Sequence, residues 1–149
     1  MILAIDPGTT ESAYVVIRDD YSIIDYGKML NGNVIEMIKT KTTFYPMVIE
    51  MIASYGMPVG QEVFETCVWI GRFIQASRKE TQLIYRKDVK LNICNSIKAT
   101  DASIIKALKD RFGDKGTKAN PGWFYGFSKD IWQAYALGVT YLDKEREQL

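Results

Sequence analysis

Three acidic side chains could do chemistry together, and two of them stand at positions where an acid is costly unless it has a partner. Asp6 ends the apolar run that opens the chain, and Glu50 lies inside another apolar run, residues 45–52. Asp130 falls in the first turn of a predicted helix near the end of the chain. Because burying an unpaired carboxylate is strongly unfavourable, Asp6 and Glu50 need compensation. A divalent cation bound between them would provide it.

The sequence contains no histidine, which limits the chemistry that it can support. Ser-His-Asp and Cys-His nucleophilic systems, HExxH metalloprotease sites and the commonest zinc ligand are all excluded. A metal site must then be built from oxygen ligands, which favours Mg²⁺, with Mn²⁺ expected to substitute. Three carboxylates can hold a pair of such ions about 4 Å apart, an arrangement that activates the attacking water and stabilises the leaving oxygen in phosphodiester hydrolysis.

Each acid also has a simpler interpretation that the residues leave open. Asp6 begins an Asp-Pro-Gly sequence, which suits a tight turn by itself. Glu50 could face solvent from an edge strand, and Asp130 could serve only to stabilise the helix dipole. The opening ILAIDPGTT also resembles the first phosphate-binding turn of actin-like ATPases. Those proteins need a second such turn, and this chain has no second DxGT sequence.

Positive charge is concentrated in the middle of the chain although the net charge is only +1. Residues 72–129 carry 13 basic and 5 acidic side chains, whereas residues 1–71 carry 4 basic and 9 acidic ones. A basic segment of this kind is a plausible binding surface for a phosphate backbone. Lysines exposed to solvent on helix faces are the alternative interpretation.

The acids must be positioned by a sheet and the helices that pack on it. Apolar and β-branched runs predict strands at residues 1–6, 12–18, 21–29, 45–52 and 82–85. Helical patterns cover residues 34–39, 61–79, 100–112 and 128–145, with Thr100 or Asp101 as one cap and Ser128 as another. The order predicts an α/β fold with a mixed sheet, formed by a single domain over residues 1–149.

The last predicted helix has small residues that would let it approach the sheet closely. Ala134, Ala136 and Gly138 lie on it, and Asp130 and Gln133 share one of its faces. A close approach would bring Asp130 and Gln133 against the strands that carry the other two acids.

Two apolar segments each allow two interpretations. The helix over residues 61–79 is apolar around much of its circumference, which suits either a partner subunit on its outer side or a central core position. A Gly-rich, basic loop over residues 113–127 carries four aromatic side chains that could stack on DNA or pack on the core, namely Trp123, Phe124, Tyr125 and Phe127.

The three acids together resemble those of a known nuclease family. Asp6 in IDPGTT, Glu50 in VIEM and Asp130 in KDIWQAYALGVTY are similar in order and spacing to the metal-binding acids of RuvC-type Holliday junction resolvases. The resemblance is strongest to the bacteriophage branch of that family and covers essentially the whole chain. The family belongs to the RNase H-like nuclease superfamily, which implies a five-stranded mixed β-sheet flanked by α-helices.

The resemblance implies a Mg²⁺-dependent endodeoxyribonuclease, a hydrolase of DNA recombination and DNA repair. Such an enzyme acts as a homodimer and resolves Holliday junctions by paired nicks. Phage relatives are often less selective, so forks and flaps are expected substrates beside four-way junctions.

Individual residues take roles from the same resemblance. Asp6, Glu50 and Asp130 are implied as catalytic metal ligands, with Gln133 as a further ligand through its amide oxygen. Lys90 matches a catalytic lysine that stabilises charge developing on the scissile phosphate, although a plain phosphate or solvent contact is the alternative. The residues expected to bind DNA are Arg86, Lys87, Lys90, Lys115, Lys118 and Lys129.

Two positions depart from the family pattern. Cellular members carry an acid three positions after the residue that matches Asp130, where this chain has Gln133. They also carry an aromatic side chain shortly after the strand acid, where this chain has Ala53 with Tyr55 nearby. The missing charge at residue 133 leaves open a relative that binds junctions without cleaving them.

Cysteine content and hydropathy favour a protein of the cytoplasm, that of the bacterial host if the gene belongs to a phage. Only Cys67 and Cys94 are present, too few for a disulfide framework or a four-cysteine zinc site. No apolar stretch approaches the ~20 residues of a membrane span, so no membrane partner is expected.

Overall fold

The computed structural model of the chain, which describes residues 1–148, has a five-stranded mixed sheet with helices on both faces. The strands are β1 (Ile2–Asp6), β2 (Glu11–Ile17), β3 (Ile23–Leu30), β4 (Met47–Met51) and β5 (Thr81–Tyr85). The helices are α1 (Asn31–Lys41), α2 (Gln61–Ala76), α3 (Arg86–Cys94), α4 (Asp101–Phe112) and α5 (Lys129–Glu147). The α/β class and the five-stranded mixed sheet are therefore confirmed.

The strand order β3-β2-β1-β4-β5 places the first and fourth strands side by side in the middle of the sheet. β1, β2 and β3 form an antiparallel meander, whereas β4 is parallel to both β1 and β5. The carboxyl ends of β1, β4 and β5 consequently meet at one edge of the sheet. Since β4 is an inner strand, Glu50 does not lie on an edge strand.

Two hydrophobic cores lie on opposite faces of the sheet. α1 and α2 cover one face, where Leu3, Ile5 and Ile49 are buried. α5 crosses the other face together with side chains from α3 and α4, and there Ala4 and Val48 are buried. Because successive side chains of a strand point to opposite faces of the sheet, Asp6 and Glu50 point toward the face that α5 covers.

Small side chains on α5 allow it to lie close to the strands, as the sequence predicts. Ala134 and Ala136 are fully buried. At Gly138 a Cβ atom would come within 2.9 Å of Ile17 Cδ1 and 3.4 Å of Ala4 Cβ. This contact fixes the distance between α5 and the sheet, and with it the position of the first turn of the helix.

Several element boundaries differ from the sequence-based prediction. α1 begins at Asn31, α2 ends at Ala76, and α3 had not been predicted at all. Thr100 caps α4 as expected, since its Oγ1 accepts a hydrogen bond from Ser103 N at 3.1 Å. Ser128 holds the N-cap position of α5, but its side chain makes no capping hydrogen bond.

The outer side of α2 is exposed, so α2 is not a central core helix. Ile70 and Phe73 are buried against the sheet and α1, whereas Phe64 and Val68 are 61% and 63% exposed. An exposed apolar stripe of this kind leaves the interpretation of a partner-facing helix open.

The aromatic side chains of the 113–127 loop mostly pack on the core. Phe124 and Phe127 are fully buried. Trp123 stacks on Phe112 with ring centroids 5.5 Å apart, and its Nε1 donates a hydrogen bond to Tyr135. Only part of the Trp123 ring and the Tyr125 side chain remain exposed.

No described helix is long and apolar enough to cross a membrane.

Candidate active site

Strand register brings two of the three acids together at the edge of the sheet. Ile5 on β1 pairs with Ile49 on β4, so the next residues along the two parallel strands, Asp6 and Glu50, lie side by side. Both are partly buried, and the Glu50 side chain is only 17% exposed. A carboxylate pair therefore lies at the carboxyl ends of the central strands.

The two carboxyl groups interact strongly. Burial, followed by the charge of Glu50 and hydrogen bonding with it, raises the pKa of Asp6 to about 9, and the charge of Asp130 adds to the shift. Burial also raises the pKa of Glu50, while Arg86 and hydrogen bonding with Asp6 oppose that rise. Asp6 thus favours its neutral form beside Glu50, whose charge Arg86 stabilises.

A tight turn after β1 fixes the position of Asp6. The Gly8 amide donates to Ser12 Oγ at 3.1 Å, and Ser12 Oγ donates to Asn31 Oδ1 at 2.6 Å. Asn31 Nδ2 in turn donates to the Gly8 carbonyl oxygen at 2.9 Å. A Cβ atom at residue 8 would lie 2.4 Å from the Glu11 carbonyl oxygen, so the turn requires glycine. Because these polar groups bond to one another, the turn serves to hold Asp6 rather than to cradle a phosphate.

Asp130 reaches the same edge from α5 but is paired with a lysine. Lys28 Nζ lies 2.8 Å from Asp130 Oδ2, and both side chains are almost half exposed. Within residues 1–148, no three His, Cys, Asp or Glu side chains form a group that could hold a metal ion. Asp130 therefore acts on Asp6 through its charge and makes its direct contact with Lys28.

Arg86 lies inside the site, where its guanidinium contacts residues from three elements. Nη1 donates to Gln133 Oε1 on α5 and Nη2 donates to Asp101 Oδ1 on α4. Nη1 also lies 3.6 Å from Glu50 Oε1 on β4. Gln133 is nearly buried, as expected for a residue that faces the sheet. Its amide oxygen, predicted as a metal ligand, accepts from Arg86 in this structure.

A recess of about 310 Å³ shares Arg86 with the carboxylate cluster and is lined by Tyr55, Arg86, Lys87, Lys90 and Ile97. Lys87 and Lys90 lie on the first two turns of α3, directly after β5. The recess thus combines positive charge with one aromatic and one aliphatic side chain. This composition suits a phosphate with an adjoining base.

The three remaining predicted DNA-binding residues lie outside the carboxylate cluster. Lys118 and Lys129 are exposed and Lys115 is half-buried. Lys115 and Lys118 belong to a loop held by a bridge between Gly116 and Pro121. Lys129 immediately precedes Asp130 at the start of α5.

The donor atoms suit a hard divalent cation, although the three acids do not form one ligand group within residues 1–148. Asp6, Glu50 and Asp130 offer carboxylate oxygens and Gln133 offers an amide oxygen, which are ligands that Mg²⁺ and Mn²⁺ accept. The raised pKa of Asp6, caused by burial and by the charge of Glu50, marks negative charge that the protein leaves without a full counter-charge. Coordination by Asp130 requires that it separate from Lys28.

We expect the metal-free protein to lose stability as pH rises from about 4 to 9. Unfolded Asp6 releases its proton near 3.8, whereas folded Asp6 retains it up to about 9, so the folded state binds more protons in this window. The free energy of unfolding then falls with pH, by at most about 1.4 kcal/mol per unit for one proton. Asp6→Asn should flatten this dependence, because asparagine can donate to Glu50 at every pH.

Urea unfolding in EDTA between pH 5 and 9 measures the effect. The quantity of interest is the difference in slope between the wild type and Asp6→Asn, since all other titrating groups are common to both. Parallel curves for the two proteins would show that Asp6 does not hold the proton.

Sequence reasoning missed two residues of the site and misjudged the surroundings of a third. Lys28 lies in one row across the sheet with Ala13 and Asp6, so the antiparallel pairing of the meander was the signal that could have found it. Asp101 had been predicted only as part of a helix cap, and no local pattern reveals its contact with Arg86. Arg86 had been predicted as a residue that binds the DNA backbone.

Comparison with solved structures identifies the fold. The chain is similar to the structure of Thermus thermophilus RuvC, with a TM-score of 0.73 and 12% sequence identity over 99% of this chain and 96% of that one. It is equally similar to T. thermophilus RuvC in complex with a Holliday junction substrate, with a TM-score of 0.73 and 12% identity over 98% and 94% of the two chains. No protein-family model and no curated protein matches the sequence. The fold is RuvC-like, and the predicted RNase H-like architecture is confirmed.

Proposed function

We propose that this protein is a divalent-metal-dependent endonuclease that resolves four-way DNA junctions by paired nicks, and that it also cuts forks and flaps. The observation that carries the proposal is the placement of Asp6 beside Glu50 at the carboxyl ends of adjacent parallel strands in a RuvC-like fold, where burial and the charge of Glu50 raise the pKa of Asp6. Two carboxylates that are buried side by side repel each other, so packing of the core gives no reason for this arrangement. A cation that binds both removes that cost.

The proposed reaction assigns a task to each group of residues. Asp6, Glu50 and Asp130 would hold Mg²⁺ or Mn²⁺, whereas Gln133 Oε1, the further ligand that the sequence predicts, accepts a hydrogen bond from Arg86. A bound divalent cation supplies water activation and stabilisation of the negative charge that develops on the scissile phosphate. Lys90 stabilises the same phosphate from the recess beside the pair.

DNA beyond the scissile phosphate is proposed to follow the basic segment of the chain. Lys87 holds the backbone beside the site, and Lys115, Lys118 and Lys129 contact it farther away. Arg86 is proposed to act from within the carboxylate cluster, where it contacts Gln133 and Glu50.

The proposal also covers the domain organisation, the branch of the family and the cellular compartment. It comprises one nuclease domain over residues 1–149, of which only Leu149 lies outside the described residues, and a place in the bacteriophage branch of the resolvases. The cytoplasm of the bacterial host is the proposed compartment, which suits the two free cysteines, Cys67 and Cys94.

A homodimer follows from the symmetry of the substrate. A four-way junction has two equivalent strands to cut, and one carboxylate site per chain can cut one of them, so paired nicks need two copies. The outer face of α2, with Phe64 and Val68, is the proposed contact between the copies. Leu83 and Tyr85 on the edge strand β5 add exposed apolar surface.

We expect Phe64→Glu combined with Val68→Glu to weaken dimerisation by at least about a hundredfold, because two apolar side chains are lost from the contact and two charges would have to be buried. Sedimentation equilibrium measures the dissociation constant. Ile24→Glu is the matched control, since Ile24 is an exposed apolar residue on the other edge strand, β3. A wild-type protein that stays monomeric, or a double variant that dimerises normally, would refute this interface.

One specific observation favours a second candidate function, a junction-binding protein that does not cut. Lys28 forms an ion pair with Asp130, Arg86 forms one with Glu50, and residue 133 is an uncharged glutamine. In that case the basic partners neutralise the acids permanently and leave the recess and the basic loop to bind DNA.

Cleavage of labelled four-way, forked and linear DNA distinguishes the two candidates. We expect nicking of the branched substrates in Mg²⁺ or Mn²⁺, none in EDTA, and little cutting of linear duplex. Tight binding to the branched substrates without nicking in either metal would establish the second candidate instead.

A further inference from the structure

The guanidinium of Arg86 is fixed by the protein itself rather than left free to follow a DNA strand. Its two terminal nitrogens donate to Gln133 and to Asp101, and Glu50 lies 3.6 Å away. The side chain is 23% exposed, and its partners belong to α5, α4 and β4. Contacts to three separate elements hold the charge at one place, and a guanidinium stays ionised at every physiological pH.

Gln133 is suited to accept from this cation without adding charge. A carboxylate at residue 133 would form an ion pair with Arg86 or supply a charged ligand to a second divalent ion. The amide oxygen does neither, yet it orients the guanidinium by accepting a hydrogen bond. A divalent ion placed between Glu50 and Gln133 would meet the fixed positive charge of Arg86 at close range, where the two cations repel.

We propose that the guanidinium of Arg86 takes the place of a second metal ion, so that each chain binds a single divalent cation through Asp6, Glu50 and Asp130. This inference rests on the proposed nuclease function and names the cations that the site uses. Gln133 and Asp101 hold the guanidinium beside Glu50.

Titration of the DNA-free protein with Mn²⁺, followed by calorimetry and by the electron paramagnetic resonance signal of free Mn²⁺, tests the inference. We expect one ion per wild-type chain. Arg86→Met should bind that ion about tenfold more tightly, because a competing positive charge next to Glu50 is gone. Lys98→Met is the matched control, since Lys98 is exposed and its loss should change the affinity less than twofold. Arg86→Met combined with Gln133→Asp should bind two ions per chain.

Two ions per wild-type chain would overturn the inference, as would an Arg86→Met affinity equal to that of Lys98→Met. The wild-type stoichiometry decides the matter even if a variant fails to fold, which circular dichroism would show. Nicking of four-way junctions by the same wild-type sample is measured separately. Absence of nicking refutes the nuclease, whereas nicking with two bound ions refutes only the role given to Arg86.

Discussion

Asp6→Asn is expected to reduce Mg²⁺-dependent nicking of a four-way junction by about a thousandfold or more, and Glu50→Gln and Asp130→Asn should do the same. Each variant removes one charged oxygen ligand while keeping the size of the side chain. Asp6 and Glu50 lie side by side, so the loss of either removes half of the pair that would hold a cation. The measurement is single-turnover cleavage at saturating enzyme, which separates the chemical step from DNA binding.

Binding provides the control for these variants. In EDTA the carboxylates only repel phosphate, so each variant should bind the junction at least as tightly as the wild type. Asp110→Asn is the matched substitution outside the site, because Asp110 is an exposed acid on α4 paired with Lys106. Wild-type rates in any one of the three site variants would remove that residue from the catalytic set.

Gly138→Val is expected to destabilise the protein by about 3 kcal/mol, the largest effect that we expect from a residue away from the site. A first side-chain carbon at residue 138 already meets Ile17 Cδ1 at 2.9 Å and Ala4 Cβ at 3.4 Å, and valine adds two more. The helix must then move away from the sheet, which also displaces Asp130. For a domain of this size the midpoint of thermal unfolding should fall by roughly 6–12 °C.

Scanning calorimetry measures this loss, and Gly32→Val supplies the comparison. Gly32 also lies in a helix, but no atom comes within 4 Å of a Cβ built there. Its replacement should leave the midpoint almost unchanged. Equal midpoints for Gly138→Val and the wild type would show that the close approach of α5 is not what positions the first turn.

The strands and the packing of α5 were predictable because the pattern of hydrophobic and small residues decides them. Apolar and β-branched side chains predominate in the strands, so all five were located. The small residues of α5 predicted its contact with the sheet for the steric reason that Gly138 shows. The placement of Asp6 next to Glu50 depends on the strand order, which the sequence pattern did not predict.

α3 was not predicted, because it is short and buries little. Of its nine residues only Val89 is buried, and its polar residues mask the helical period. One local signal was present. Asn95 follows the helix in the left-handed conformation, with φ of 57°, a common way to end a helix.

The partners of the acids could not be deduced from spacing alone. Lys28 reaches Asp130 across 102 positions of the chain, and Arg86 reaches Gln133 across 47. Such contacts depend on which faces of α3, α4 and α5 meet, and packing decides this rather than local sequence. The sequence therefore predicted the acids but not the two basic residues that contact them.

The most direct test of the nuclease assignment is nick mapping on a four-way junction whose strands are labelled one at a time. With Mg²⁺ present, wild-type protein should cut two opposed strands at symmetric positions close to the crossover, and chelation of the metal should abolish both cuts. Intact strands in Mg²⁺ and in Mn²⁺, or cuts that persist in EDTA, would contradict a metal-dependent resolvase built on Asp6, Glu50 and Asp130.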